Sequence, residues 1–372
     1  MTGRELMLDA FHARPVDHIP CAPFIHVNFV GAFFGSRDAD PISGTIEVYE
    51  HFGLDIIHRN CTPAHNELGA GAGGWEVESA VEVSADSETT TTVIHTPGGD
   101  LTQVHRLNWV SEYDAEASPL EYLIKSERDF DLIREYQPPI EEIDTTPIVR
   151  AKAELGDRGI IAPWMQGAFS HVTYYYRAVE EMILDAMTNP GFYREMMEYF
   201  LERNMRVAEQ HIEAGVDVMS YGGNIASGKM VGGPFFGKYV LEYENRLIDF
   251  IQARGVPVLY HNCGCARSLF AHYKALRTKA YESLTPPPYG DTILQEAFAE
   301  FPPETILCGG VDQIEFLRTA SRDEIRQNVR GILDLAKPRG NFILGTTDYF
   351  DEDTPSESIR AFAAAGADYG RY

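Results

Sequence analysis

The sequence predicts an α/β fold: a (β/α)8 barrel of the TIM type with an N-terminal extension and an antiparallel β insertion. Three observations lead there. Short apolar runs of β-formers recur eight times, at residues 19–26, 54–59, 159–165, 216–221, 256–262, 278–283, 305–309 and 341–345, and eight is the number at which a (β/α) barrel closes. Most of these runs are separated by stretches with helical spacing, the alternation expected of a parallel sheet. No run leads into a G-x-G-x-x-G turn, so an open sheet of the dinucleotide-binding type has no support. Residues 1–372 are read as one barrel domain, with the insertion at about 69–110.

Arg4 to Arg14 sets Leu6, Ala10 and Phe11 along one helical side before Pro15 and Pro20 break the pattern. Cys21-Ala22-Pro23-Phe24-Ile25-His26 then reads as the first strand and Leu54-Asp55-Ile56-Ile57-His58 as the second. Between Gly69 and Trp109 apolar and polar residues alternate, with Thr96-Pro97-Gly98-Gly99 as a turn, which marks antiparallel strands. Beyond Pro139 strand and helix take turns. Gly159 to Met165 is a strand, and Asn189 caps a long helix that Pro190 opens and Gly215 ends. Val216 to Tyr221 is followed by a helix from Phe235 to Ala253, and a further helix runs through Leu269. Ser321 with Glu324 forms a capping box, and Thr354-Pro355-Ser356-Glu357 starts the last helix.

Composition bounds the function. The chain is 44% hydrophobic and carries 31 Lys and Arg against 56 Asp and Glu, a formal charge of −25. That balance argues against nucleic acid or an anionic membrane as partner, while leaving a small carboxylate substrate open. No apolar run approaches the roughly 20 residues of a membrane span, and no signal-peptide core follows Met1. A cytoplasmic location is expected, and self-association into a homo-oligomer is left open. Five cysteines are too few and odd in number for a disulfide framework, which turns attention to metal binding.

In a barrel the C-terminal strand ends face one pocket. Gathered there would be His26, Asn28, Cys61, Trp164, Gln166, Tyr221, Asn224, His261, Cys263, Glu282, Cys308 and Asp348. His261 and Cys263 stand two apart on an extended chain, so both side chains reach one point, and imidazole with thiolate suits zinc. With Cys308 they would make a site of three protein ligands and one open position, the arrangement of a catalytic zinc. The competing readings are ordinary ones: Cys308 as a small buried hydrophobe, Glu282 as an ion-paired strand end, the tyrosines as core.

The sequence resembles the uroporphyrinogen decarboxylase superfamily, and within it the zinc- and corrinoid-dependent methyltransferases. The resemblance lies in Val16-Asp17-His18-Ile19-Pro20, His261-Asn262-Cys263-Gly264, Thr285-Pro286-Pro287-Pro288-Tyr289-Gly290-Asp291, Cys308-Gly309-Gly310-Val311-Asp312, and Phe342-Ile343-Leu344-Gly345 with Thr354-Pro355. It implies a (β/α) barrel, His261 and Cys263 as zinc ligands, and a corrinoid (cobalamin) carried by a partner protein, since no D-x-H-x-x-G corrinoid motif occurs in this chain. The decarboxylases carry an arginine-rich segment after the first strand. Here no arginine stands between Cys21 and Arg37, which disfavours tetrapyrrole decarboxylation. The coenzyme M branch takes its third zinc ligand from a cysteine on the last strand, where this chain has Thr346-Thr347-Asp348. Cys308 is preferred as the replacement, with Asp348 and Glu282 next.

The resemblance implies a zinc-dependent methyltransferase that moves a methyl group from a small methylated compound, above all a methoxylated aromatic, to the Co(I) corrinoid of the partner. Glu282, Asp348 and Asn224 would orient the substrate or handle a proton. Trp164, Phe169, Tyr221 and His171 would form an aromatic wall, with Gln166, His26 and Asn28 beside it. The alternatives are transfer from a methylcorrinoid to a thiol, a decarboxylase of the same family, and a non-catalytic zinc- or tetrapyrrole-binding barrel.

Overall fold

The structure, a computed structural model, describes residues 1–69 and 73–372. Its strands are β1 Ile56–His58, β2 Glu76–Val83, β3 Ser87–Thr96, β4 Gly99–Trp109, β5 Ala115–Glu121, β6 Gly159–Ile161, β7 Trp164–Gln166, β8 Met219–Gly222, β9 Val258–His261, β10 Ala280–Ser283, β11 Ile306–Val311 and β12 Phe342–Thr346. The fold is α/β with parallel pairing. β7 to β12 form one sheet in sequence order, and β1 pairs with β6. Backbone hydrogen bonds continue past the sheet edges. Ala22 N–H donates to Leu344 O and Leu344 N–H to Pro20 O, each at 2.8 Å, Asp55 N–H donates to Cys21 O at 2.9 Å, and Val218 N–H donates to Ile161 O at 3.2 Å.

Two expected strands come out differently, and proline is the reason in both. Residues 19–26 make only isolated bridges, Cys21 to Leu344 and Phe24 to Tyr349, because Pro20 and Pro23 cannot donate to a ladder. The run 159–165 is divided at Ala162-Pro163 into β6 and β7. The antiparallel sheet, in order β2-β3-β4-β5, continues beyond residue 110 to Glu121. It turns at Pro97-Gly98, where Thr96 pairs with Gly99. Within the expected insertion, residues 70–72 lie outside the described residues.

Period-two alternation sends Ala22, Ile57, Ile160, Val218, Leu259, Ala280, Ile306, Cys308 and Ile343 into a single buried cluster. The first helix, Gly3–Phe11, adds Met7, Ala10 and Phe11 to it. Arg4 holds that helix in place: Nη1 donates to Asp217 Oδ2 at 2.6 Å, and the same oxygen accepts Ile161 N–H at 2.9 Å. A second, larger cluster packs the other strand faces against surrounding helices such as Pro190–Glu213 and Leu241–Gln252.

Of the helices expected from the sequence, two come out differently. Asn189 accepts from Phe192 N–H, and Ser321 with Glu324 closes a capping box on helix Arg322–Arg339. The helix expected from Phe235 to Ala253 is present, running without a break from Gly232 to Gln252, with a wide π turn over Phe236–Val240 inside it. The one expected through Leu269 is only a short turn ending in Phe270–Tyr273. Thr354 does not cap the last helix, Ser356–Tyr369. Pro355 takes that position, and Thr354 Oγ1 is buried without a partner. Among the described residues no helix is long and apolar enough to cross a membrane.

Candidate active site

His261 ends β9, Cys263 follows two residues on, and Asp348 lies two residues past β12. One ligand atom from each falls within 4.8 Å of the others. The turn after β9 is fixed by Asn262, whose Oδ1 accepts Gly264 N–H at 3.1 Å and whose amide bonds the Tyr273 hydroxyl. Asp348 is fixed by Gln313, which accepts its N–H at 3.1 Å, and by Tyr349 N–H, which bonds Asp348 Oδ1 at 2.8 Å. Asp348 Oδ2 then faces His261 Nε2 at 3.9 Å.

Strand register explains who joins this group. His261 is level with Glu282 on β10, and Glu282 is level with Cys308 on β11. Adjacent strands stand roughly 4.8 Å apart, so Cys308 is two strands from His261 with Glu282 between them. Its Sγ lies 3.7 Å from Glu282 Oε1, inside the buried cluster. Cys308, expected as third ligand, is therefore not brought to the group; the third donor found there is Asp348. Glu282 is not brought there as a donor either. Its Oε2 accepts from His261 Nδ1 at 2.9 Å and from Arg59 Nη1 at 3.1 Å, while Arg59 Nη2 bonds Oε1. Burial alone would raise the Glu282 carboxyl, but the Arg59 charge and the His261 bond outweigh it and hold the group at about 2.

This donor set fits a zinc-type cation. It offers nitrogen from a buried histidine with sulfur and oxygen from half-buried Cys263 and Asp348, and the Glu282 bond would keep a proton on His261 Nδ1 and leave Nε2 as the donor once a cation displaces its proton. Positive charge is favoured there. Burial lowers the basicity of His261, yet Cys263, Glu282 and Asp348 together push it well above the ordinary value. Burial raises the Cys263 thiol, with Asp348 adding to the rise, so a cation is what would make it a thiolate.

Above the donors opens a cavity of about 500 Å3, lined by His261, Cys263 and Asp348 and by Phe24, His26, Arg59, Trp164, Asn224 and Tyr349. Its walls are rings. Phe24 stacks on Trp164 at 6.2 Å and 19°, Trp164 meets His261 at 5.2 Å, and Tyr349 meets His26 at 4.9 Å. Of the expected substrate contacts, Trp164 and His26 line this cavity, as does Asn224. Asn28 lies behind His26, with Oδ1 3.2 Å from His26 Nδ1 and Nδ2 donating to Asp114.

The rest of the expected aromatic wall is elsewhere. Tyr221 is fully buried with its hydroxyl on Glu244, and Phe169 is fully buried against Phe235. His171 bonds Glu67 at 3.2 Å and, with Gln166, lines a separate smaller cavity. Tyr221 ends its expected strand and Gln166 follows its own by one residue, whereas Phe169 and His171 stand further along, and helix Ala168–Tyr175 carries both away from the pocket. Sequence reasoning missed Phe24, Arg59 and Tyr349. Arg59 had a readable signal, a cation directly after the buried strand β1, and its guanidinium also covers the Phe24 ring at 4.2 Å.

Comparison with known proteins agrees with this architecture. Residues 113–369 match the family described as uroporphyrinogen decarboxylase (URO-D). The chain is 22% identical over 267 residues to the methylcobamide:CoM methyltransferase MtbA of Methanosarcina mazei, covering 71% of this chain and 70% of that protein. It is 28% identical over 69 residues, 18% of this chain and 20% of the relative, to MtbA of Methanosarcina acetivorans. A solved structure of a methyltransferase from Methanosarcina mazei superposes with a TM-score of 0.73 over 99% of both chains at 14% identity.

Proposed function

The chain belongs to the uroporphyrinogen decarboxylase family, and on that premise we propose that it is a zinc-dependent cytoplasmic methyltransferase, taking the methyl group of a small methoxylated aromatic and passing it to the Co(I) corrinoid of a partner protein. We read the strands as one closed (β/α)8 barrel domain over residues 1–372, with the antiparallel sheet inserted in it. The observation that carries the reading is the ring-walled cavity opening directly over the His261, Cys263 and Asp348 donors.

The methyl–oxygen bond of the ether breaks, the methyl passes to Co(I), which supplies the electron pair of the new bond, and the oxygen keeps its own pair and ends as a phenol after taking a proton. Zinc held by His261, Cys263 and Asp348 would supply Lewis-acid stabilisation of the charge on that oxygen. One carboxylate oxygen in place of a second thiolate keeps such a metal harder, which suits an ether oxygen. Glu282, clamped by Arg59, orients His261. Phe24, Trp164 and Tyr349 stack the substrate ring and exclude water, and Asn224 offers a polar contact at the rim.

A second reading, transfer from a methylcorrinoid to a thiol, is favoured by the likeness to a protein named methylcobamide:CoM methyltransferase. One assay separates them. Metal-replete protein is mixed with Co(I) corrinoid protein and a panel of methoxyarenes, methylamines and methylthiols, and the methyl-Co(III) spectrum is followed. Its appearance with a methoxyarene is expected. Turnover of methyl-Co(III) with a thiol, and none with any ether, would favour the second reading.

A further inference from the structure

Gln166 and His171 belong to a cavity the reaction above does not use. About 210 Å3 in volume, it lies between residues 62–65, β7 and helix Pro190–Glu213, and it shares Thr62 and Trp164 with the larger cavity. The feature that singles it out is His211. This side chain is 1% exposed, lines the cavity, and has neither ring nitrogen bonded to anything among the described residues. Gln166 Oε1 on the same wall is likewise buried and unpartnered. A buried polar group left without a partner is destabilising, so a ligand that bonds it gains what solvent does not supply there.

The chemistry of the walls selects a ligand class. Burial, with His65 nearby, lowers His211 to about 4; at neutral pH its ring is therefore uncharged, with one N–H donor and one nitrogen acceptor. No carboxylate lines the cavity among the described residues, and Glu67, which holds two of its histidines, is already bonded by His65 at 3.0 Å, His171 at 3.2 Å and the Tyr176 hydroxyl, so the walls do not ask for a cationic ligand. Trp164, Tyr175 and Val207 supply flat and apolar surface. A hydroxyl both donates and accepts, so it can bond whichever His211 nitrogen faces it, and the remaining volume is that of a single ring rather than a drug-sized molecule.

We propose that this cavity is a second binding site, specific for a small uncharged phenol held by His211 through its hydroxyl. The phenol is the product class of the demethylation read above, and in that respect the inference rests on that reading; with Thr62 and Trp164 as the shared wall, the cavity is where the product sits after leaving the donors. The test uses phenol itself as probe, with the metal-loaded full chain and no corrinoid protein, so that its outcome is independent of methyl transfer. Histidine ring nitrogens are labelled and followed by NMR during titration. Saturable shifts at His211 and His65 are expected. The His65 shift should be lost, or need roughly tenfold more phenol, in His211→Phe, and should persist in His211→Gln, which keeps a donor and an acceptor. Shifts that never saturate, or a His65 shift of equal midpoint in His211→Phe, would overturn the site. A methoxyarene assay that fails while these shifts appear would remove the proposed reaction and leave the site standing.

Discussion

Asp348 completes the donor set because two turns are independently fixed, one by Asn262 and one by Gln313. Asp348→Asn should therefore lower metal affinity by more than the roughly 10–100-fold that loss of an outer partner costs, whereas Cys308→Ser should keep its metal. Metal content after dialysis against a chelator reads both, and the reverse pattern would return the third ligand to β11. Glu282→Gln touches no donor atom yet removes the charge that orients His261 and pairs Arg59; its metal affinity or activity should fall about 10–100-fold. A calorimetric metal titration matching the unaltered protein would refute that role. His261 and Cys263 were readable in the sequence because their relation is local, two residues apart on an extended chain. The choice between Cys308 and Asp348 was not, since it depends on how β9, β10 and β11 align, and register is a contact between residues far apart in sequence.

At the scale of elements, one buried carboxylate ties a helix start to a strand. Glu244, fully buried on helix Leu241–Gln252, accepts Ala168 N–H at 3.2 Å and Phe169 N–H at 3.1 Å, the free donors at the start of helix Ala168–Tyr175, and also the Tyr221 hydroxyl. Gly167 makes the approach possible, since a Cβ there would meet Tyr221, Gly222 O and Glu244 Oε2 within 2.9 Å. Burial raises the Glu244 carboxyl to about 7 despite these bonds. Between the ordinary value of about 4.3 and 7 the folded chain holds a proton the unfolded chain has released. Stability must then fall as pH rises through that window, by on the order of 3 kcal/mol. Urea midpoints at pH 5 and 7.5 should diverge in the unaltered protein and converge in Glu244→Gln; parallel behaviour would contradict this. Tyr221 was expected in the pocket because it ends an apolar strand, and its type carried no sign that a carboxylate twenty-three residues on would claim its hydroxyl.

For the molecule as a whole, the order of strands and helices was legible and their interruptions were less so. Eight β-forming runs stood out because burial on both faces demands apolar residues throughout, and the inward members do meet in one cluster with Met7, Ala10 and Phe11 beneath them. Pro20, Pro23 and Pro163 were visible too, but their effect on hydrogen bonding needed the ladders on either side. The cluster also shows why Cys308 looked like a ligand: it is inward-facing, as a ligand must be, yet in line with the core residues Ile306 and Ile343 and screened from His261 by Glu282. The central claim, a metal held by one nitrogen, one sulfur and one carboxylate oxygen, is tested most directly by X-ray absorption at the zinc edge of the zinc-loaded protein. One sulfur neighbour at about 2.3 Å, with the remaining neighbours nitrogen or oxygen at about 2.0–2.2 Å, is the predicted shell; two sulfurs, or none, would contradict it.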